Sequence, residues 1–451
     1  MAGVKKVFET LGNIWNVIDL RKKIIFTLGI LVLYRIGTQV PVPFLNPDIA
    51  YLMREMTSGT VFGFLNVMAG DAFVQANLFA LSISPYITAS IVMQLLCVAI
   101  PTFERWSKEE GESGKKKITQ ITRVMTVALA LITAFGYYQL LRSNSMPGSG
   151  GPPMLLDTSF FAGMVIVATY CAGASLIMWL AEKINEKGIG NGISIILFVN
   201  IISRGPAIAS NFLAMFTSGE ITPIILALVG IVGAIAMVAF IVFFSNSERR
   251  IPVQYAKRVV GRKQYGGQNS NLPIKLNMSG VMPIIFANSI VAIPATAAMM
   301  FGWAPEEGFW YGFFNLFNPT SLVYIGIFLA LLIAFAYFYI SISFNPVEIS
   351  NNLKKNGGFV PGIRPGKPTT DYITKILNRI VLIGALFLIV IAGTPMIIAA
   401  GANLFDGTVA RSLQMIAFGG TSILIVVGVA METAREIEAQ MTMRHFKGFL
   451  E

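Results

Sequence analysis

The chain has 451 residues, of which 55% are hydrophobic and only 13% are charged, and its mean hydropathy is +0.68. Because about 25% of the residues of a typical soluble domain are charged, this composition excludes an ordinary soluble protein. Apolar runs of about 15–24 residues alternate with charged or Gly/Pro-rich loops, which is typical of membrane-spanning helices and excludes the short alternating strands of a membrane barrel. The formal net charge of +11 should draw polyanions to the surfaces outside the membrane.

The N-terminal segment, residues 1–23, carries apolar residues at helical spacing, which predicts an amphipathic helix lying on the membrane surface. The first span follows at Ile24–Gln39. The Gly-rich stretch Thr60–Met68 is apolar but too short to cross the membrane. We expect a half-inserted helix packed within the protein, where irregular backbone is tolerated; a connector lying on the surface is the alternative.

Nine further apolar runs bring the predicted number of spans to ten. They are Asn77–Ile100, Ile121–Leu141, Phe160–Ala181, Ile189–Ser203, Ile221–Phe244, Val281–Phe301, Leu322–Phe344, Ile380–Ala400 and Leu413–Met431. Pro85–Ile91 in the second span has an echo at Pro283–Ile290 in the seventh, as two related five-span halves would give. The sequence thus predicts an all-α polytopic membrane protein with two pseudo-symmetric five-helix halves, residues 24–210 and 211–431, and a C-terminal tail, residues 432–451.

The distribution of lysine and arginine sets the orientation of these spans. If both termini and alternate loops lie on one side, that side holds 29 of the 34 basic residues. Cytoplasmic loops carry the excess of Lys and Arg, so both termini should be cytoplasmic.

The second span carries more polar side chains than a lipid-facing helix needs. These are Ser82, Ser84, Thr88, Ser90 and Gln94. Ile83, Ile87 and Ile91 recur at every fourth residue and form a stripe on one helix face. Such a helix is suited to lining a path or packing against a movable neighbour, although ordinary helix packing is the alternative for each isoleucine.

Charged residues do not lie in the middle of any span from the second to the tenth. Ion-coupled transporters usually keep such groups near the midplane, so a secondary transporter is disfavoured, as is an intramembrane enzyme. We expect no catalytic residues, no cofactor and no metal. A small-molecule transporter with two five-span repeats remains the alternative to a path lined by aliphatic side chains.

Two cytoplasmic loops, residues 245–277 and 345–379, are longer than a connection between spans requires. The positive-inside rule explains the sign of their charge, but not their length or their Gly and Pro content. We therefore expect them to dock an acidic or RNA-containing partner.

Several motifs in this chain resemble those of the SecY protein-conducting channel family, occur in the family's order and cover essentially the whole chain. They are Ala80–Ile87, Gly188–Ser194, Tyr255–Arg258, Phe359–Gly366 and Gly419–Ser422. The compact loops are similar to bacterial members. The resemblance implies a clamshell of ten spans that passes unfolded secretory polypeptides across the bacterial plasma (inner) membrane and releases hydrophobic segments sideways into lipid.

The resemblance also implies roles for particular residues. The pore ring would consist of Ile83, Ile87, Ile193, Leu197, Ile285 and Ile425. Polar residues of the lateral gate would include Thr88, Ser90, Gln94 and Asn288. The plug would correspond to residues 60–73, with Thr60, Phe62, Phe64 and Met68. The surface that meets a motor or ribosome would include Arg249, Arg250, Lys257, Arg258 and Arg364.

The partners implied by the resemblance are the small SecE and SecG subunits, the SecA motor ATPase, the ribosome with its RNA and protein, and the signal sequences of the translocated chains. Two residues depart from the family pattern. Ser82 stands where the family usually has Gly, and Leu197 replaces a more usual Ile in the constriction. We expect Ser82 to tighten a helix contact through a hydrogen bond.

Overall fold

The computed structural model describes most of the chain in two compact units. The described residues are 17–57, 66, 68–143, 145, 153–217, 219, 221–255, 258–260, 263–265, 269–301, 316, 321–402 and 408–445. The first unit comprises Met1–Ala227, Ser289–Tyr324 and Ile425–Glu451, and the second comprises Leu228–Asn288 and Ile325–Leu424. The division into halves at residues 24–210 and 211–431 stays a prediction.

Helices make up most of both units. Up to residue 217 they are α1 (Ile18–Gly37), α2 (Ile49–Thr57), α3 (Ser84–Ala99), α4 (Pro101–Lys108), α5 (Gly111–Ser143), α6 (Phe160–Lys187), α7 (Gly192–Ser203) and α8 (Gly205–Thr217). The later helices are α9 (Ile221–Asn246), α10 (Met282–Phe301), α11 (Leu322–Ser343), α12 (Pro346–Lys355), α13 (Lys367–Ala402) and α14 (Thr408–His445).

Six of these helical stretches within the described part of the chain are long and apolar enough to cross a membrane: α5, α6, α7 with α8, α9, α11 with α12, and α13. Helices α3 and α4 together form a further candidate, bent by 101° at their junction. Helices α1, α10 and α14 overlap the first, seventh and tenth predicted spans, and α14 continues to His445, within the predicted C-terminal tail. The chain is therefore a multi-pass membrane protein.

The second span begins later than the sequence predicted. Residues 77–83 form turns, and α3 begins only at Ser84. Ser82 adopts the left-handed conformation (φ 52°), which interrupts a right-handed helix, and Pro85 occupies the first turn of α3, where its missing N–H costs nothing.

The core of the first unit encloses the segment before α3. The buried rings of Tyr137 on α5 and Tyr170 on α6 meet edge to face, with their centroids 5.1 Å apart. Their hydroxyl groups donate hydrogen bonds to the backbone carbonyls of Phe73 and Ala76 respectively. These bonds satisfy carbonyl groups that lie outside regular structure in the buried core, where an unpaired one is costly.

The second unit contains a small sheet that the helical pattern of the sequence did not indicate. Strands β1 (Glu248–Tyr255), β4 (Asn269–Lys275) and β5 (Gly358–Phe359) form an antiparallel sheet in the order β4-β1-β5. Strands β2 (Arg258–Val260) and β3 (Lys263–Tyr265) pair separately. One face of the larger sheet packs into an apolar cluster with the start of α13, and strand pairing between β1 and β5 joins the two long loops.

Candidate functional site

Helix α3 and the turn before it carry the predicted isoleucine stripe. Ile83, Ile87 and Ile91 are all at most 2% exposed. Ile83 is the residue that precedes the helix, and the other two follow at one-turn intervals. The stripe is thus a continuous buried aliphatic face.

The other predicted pore-ring residues lie on three further helices. Leu197 on α7, Ile285 on α10 and Ile425 on α14 are buried, at 0%, 1% and 2% exposure. Ile193, in the first turn of α7, is partly exposed. All six are aliphatic side chains and five of them are buried; their convergence on one constriction stays a prediction.

The polar residues of α3 bond within their own helix. The Thr88 hydroxyl donates to the carbonyl of Ser84 at 3.1 Å, and the Gln94 amide donates to the Ser90 hydroxyl at 3.3 Å. Asn288 on α10 is buried at 4% exposure, and its side-chain amide nitrogen has no hydrogen-bond partner among the described residues. The pairing of these side chains across a gate remains untested.

The predicted plug is only partly described. Thr60, Phe62 and Phe64 lie outside the described residues. Met68 is buried, and its carbonyl oxygen accepts hydrogen bonds from the Ser82 hydroxyl at 3.0 Å and the Asn200 amide at 2.6 Å. The hydrogen bond expected of Ser82 is therefore present, and its partner is the backbone of this segment.

A charged pair lies next to these bonds, and the sequence reasoning missed it. Asp71 and Arg204, at the C-terminal end of α7, form an ion pair with Oδ1 and Nε 3.2 Å apart. The Asn66 amide donates to the same Asp71 oxygen at 2.8 Å, and its carbonyl oxygen accepts from the backbone N–H of Val74 at 3.1 Å. The sequence held one signal for this pair. Asp71 and Arg204 have opposite charges, and each flanks a membrane segment on the same predicted side of the membrane.

The Gly-rich motif at residues 188–192 positions the start of α7. The Thr27 hydroxyl on α1 accepts a hydrogen bond from the backbone N–H of Ile189 at 3.1 Å, and the side-chain Oδ1 of Asn185 accepts one from the backbone N–H of Gly192 at 2.7 Å. A Cβ on Gly192 would collide with the backbone carbonyl of Ala181. Glycine is required here because α7 approaches the end of α6 too closely for any side chain.

The predicted docking residues lie on the joined loops of the second unit. Arg249 and Arg250 on β1 are exposed, and Arg250 pairs with Glu248 at 2.7 Å. Arg364 is also exposed, in a turn whose conformation is held by a hydrogen bond from the Thr369 hydroxyl to its carbonyl at 2.9 Å. Lys257 lies outside the described residues, as does the side chain of Arg258, whose backbone begins β2.

Alternation in β1 places Arg250 on the exposed face of the strand, opposite Ile251 and Val253, and Arg249 is exposed at the start of the strand. Ile251 and Val253 are buried at 1% and 2% exposure, whereas Pro252 between them is exposed. Since successive strand residues point to opposite faces, the buried pair anchors the sheet on its apolar cluster. The charged end of β1 is left accessible to a partner.

Comparison with known proteins places these features in a family. A SecY family model matches residues 77–434. The protein translocase subunit SecY of Mycobacterium tuberculosis (strain H37Rv) is 42% identical over 443 residues, covering 96% of this chain and 97% of the relative.

Two solved structures have a similar fold. A structure described as a protein-conducting channel aligns with a TM-score of 0.64 and 17% identity, and Sec61 in the canine ribosome–channel complex from the endoplasmic reticulum aligns with 0.60 and 16%. Each alignment covers 93% of this chain and 92% of the other.

Proposed function

Because this chain belongs to the SecY family of protein translocase subunits, we propose that it forms a protein-conducting channel. It translocates unfolded secretory polypeptides and releases hydrophobic segments sideways into the bilayer, with energy supplied by a partner motor or ribosome. Membership in this family favours a polypeptide as the transported molecule over the small solute of a secondary transporter. It also favours a transport component over an enzyme. The buried stripe of Ile83 and Ile87 on α3 is the observation in the structure that carries the proposal.

We propose that the pore ring comprises Ile83, Ile87, Ile193, Leu197, Ile285 and Ile425. Aliphatic side chains can close around an extended chain of any sequence without binding it specifically. They offer ions no replacement for lost hydration, so an empty ring closes by dewetting. The low exposure of five of the six residues supports this assignment.

The lateral gate uses the polar residues Thr88, Ser90, Gln94 and Asn288. The buried amide nitrogen of Asn288, which lacks a partner in the described part of the chain, supports a site where polar groups exchange partners. Hydrogen bonds between membrane helices contribute about 0.6–2 kcal/mol each. A signal sequence that buries about a dozen apolar residues could outweigh a few such bonds, so the gate is a near-balanced two-state element.

The partners are SecE and SecG within the membrane, and SecA or the ribosome on the cytoplasmic side. The exposed Arg249, Arg250 and Arg364 and the strand pairing that joins their loops support one continuous basic docking surface. Guanidinium groups suit both carboxylate and phosphate partners. The excess of basic residues in the same loops supports a bacterial plasma (inner) membrane protein with both termini in the cytoplasm.

A photo-crosslinking residue at Ile87 tests the channel. Membranes would carry a secretory chain stalled during translocation, and Val124, which is 70% exposed on α5, would serve as the control position. We expect an adduct at Ile87 that depends on a functional signal sequence and is absent at Val124. Adducts confined to Val124 would refute the pore ring.

A further inference from the structure

We propose that five polar residues form a latch that holds Asn66 and residues 68–73 against the end of α7 and so sets how readily the closed channel opens. These residues, called the polar latch below, are Asn66, Asp71, Ser82, Asn200 and Arg204. This inference rests on the proposed function, because it takes residues 66–73 as the C-terminal part of the plug.

The first element of the polar latch is a shared backbone acceptor. The carbonyl of Met68 receives both the Asn200 amide at 2.6 Å and the Ser82 hydroxyl at 3.0 Å. All three residues are buried, at 3%, 0% and 2% exposure. At a buried site, a carbonyl that loses both donors carries the full cost of an unmade hydrogen bond. Moving Met68 away from both α7 and the turn before α3 therefore breaks both bonds.

The second element is the ion pair between Asp71 and Arg204. Their side chains are only 22% and 27% exposed, so solvent screens the pair less than it screens a fully exposed one. Asn66 holds the Asp71 carboxylate at 2.8 Å while its own carbonyl oxygen accepts from the backbone of Val74. The same carboxylate oxygen is thus held by both the Asn66 amide and the Arg204 guanidinium group.

The position of the polar latch separates it from the rest of the segment. Phe73 and Ala76 are bonded to tyrosines of α5 and α6, which form the apolar core of the first unit. Met68 and Asp71 instead bond to Asn200, in the last turn of α7, and to Arg204, the residue that follows that helix. Release of Met68 and Asp71 can therefore leave the hydrogen bonds to Phe73 and Ala76 intact.

Ser82 gives this chain a contact that a glycine could not make. A left-handed backbone favours glycine, which the family usually has at this position, and here a serine adopts φ 52°. The hydroxyl bond to Met68 offsets the cost of that conformation. Because that bond exists only while Met68 lies beside Ser82, replacing Ser82 with alanine removes a contact of the closed channel.

Resting ion leak in reconstituted vesicles tests the polar latch, with no translocating chain present. The variants are Asp71→Asn, Arg204→Gln and the double variant, and Glu104→Gln is the control, because Glu104 pairs with Lys108 in an exposed ion pair on α4. We expect each single variant to raise the leak about tenfold over wild type, which corresponds to the loss of one partly buried pair. The double variant should leak no more than the worse single variant, since both remove the same interaction. Glu104→Gln should match wild type.

Two further measurements keep the test decisive. Each variant is also assayed for translocation of a secretory chain, so that a variant that translocates at the wild-type rate is known to be folded. Ser82→Ala, which removes no charge, should raise the leak about fivefold. The polar latch would be overturned if the variants translocated secretory chains and leaked no more ions than Glu104→Gln. It would also be overturned if the increase in ion leak of the double variant equalled the product of the two single increases. A wild-type protein that moves no secretory chain would instead overturn the proposed function.

Discussion

Replacing Glu182 with glutamine should destabilise the first unit more than the loss of an exposed ion pair would. Arg123 on α5 and Glu182 on α6 form a two-point contact: Nε donates to Oε1 at 2.9 Å, and Nη2 lies 2.9 Å from Oε2. The glutamate side chain is only 10% exposed, whereas the arginine is 45% exposed. The pair therefore joins two long helices at a site that is half closed to water.

The expected cost follows from this uneven burial. Removing one partner of a fully buried pair costs about 3–5 kcal/mol, because it leaves a buried charge uncompensated. An exposed pair contributes about 0–1 kcal/mol. Because Arg123 retains access to solvent, Glu182→Gln should lie between these limits, at about 2 kcal/mol. Arg123→Gln/Glu182→Gln should recover part of that loss, since no charge is then left without its partner.

Equilibrium unfolding in mixed detergent micelles would measure these free energies. Glu104→Gln is the matched control, because the Glu104 and Lys108 side chains are 47% and 72% exposed at a similar distance of 2.8 Å. We expect a change below about 0.5 kcal/mol for the control. A Glu182→Gln variant as stable as Glu104→Gln would refute the reasoning that burial determines the strength of these pairs.

Three further predictions test the site. Ile87→Asn or Ile425→Asn should admit secretory chains with defective signal sequences, because a polar side chain weakens the dewetted ring; a translocation assay with unchanged signal selectivity would contradict the pore assignment. The resting ion leak of Ser82→Gly should be smaller than that of Ser82→Ala. Glycine adopts φ 52° without strain, and this relief offsets about 1 kcal/mol of the lost hydrogen bond. Equal ion leaks of the two variants would contradict this. Gly192→Ala should lower the thermal stability of the purified protein through its collision with the Ala181 carbonyl, whereas Gly205→Ala, where a Cβ meets nothing within 4 Å, should not.

Most of the fold could be predicted because the bilayer imposes it. A span of about twenty apolar residues has to form a helix when lipid offers no hydrogen bonds, so composition alone located the helices. The motifs of the family then supplied the fold class. The start of α3 was misplaced because residues 77–83 are as apolar as the helix that follows, and their turns depend on bonds to distant residues.

The sheet of the second unit was missed for a different reason. Only Ile251 and Val253 alternate clearly in β1, and two positions are too few to separate a strand from a charged loop. Its pairing with β5 joins residues that are far apart in the chain, which no local pattern records.

The site was predicted where side chains repeat and missed where they do not. The spacing of Ile83 and Ile87 predicted a common face, and both residues are buried. Asp71 and Arg204 belong to segments well separated in sequence, and each alone has the appearance of an ordinary charged residue at the end of a span. Their contact depends on the tertiary fold, which brings the end of α7 to the segment before α3.

Strand β1 has consequences for the order in which this protein is made. One edge of β1 pairs with β4, which follows soon after it in the chain. The other edge pairs with β5, in which Phe359 is opposite Gln254, and β5 is synthesised much later. Helices α10, α11 and α12 are synthesised in between. At a synthesis rate of about 5–20 residues per second, roughly 5–20 s pass before the ribosome makes β5. During that interval the edge of β1 is open to pairing with any other extended chain, so the nascent protein is most exposed to misassembly while these helices enter the membrane.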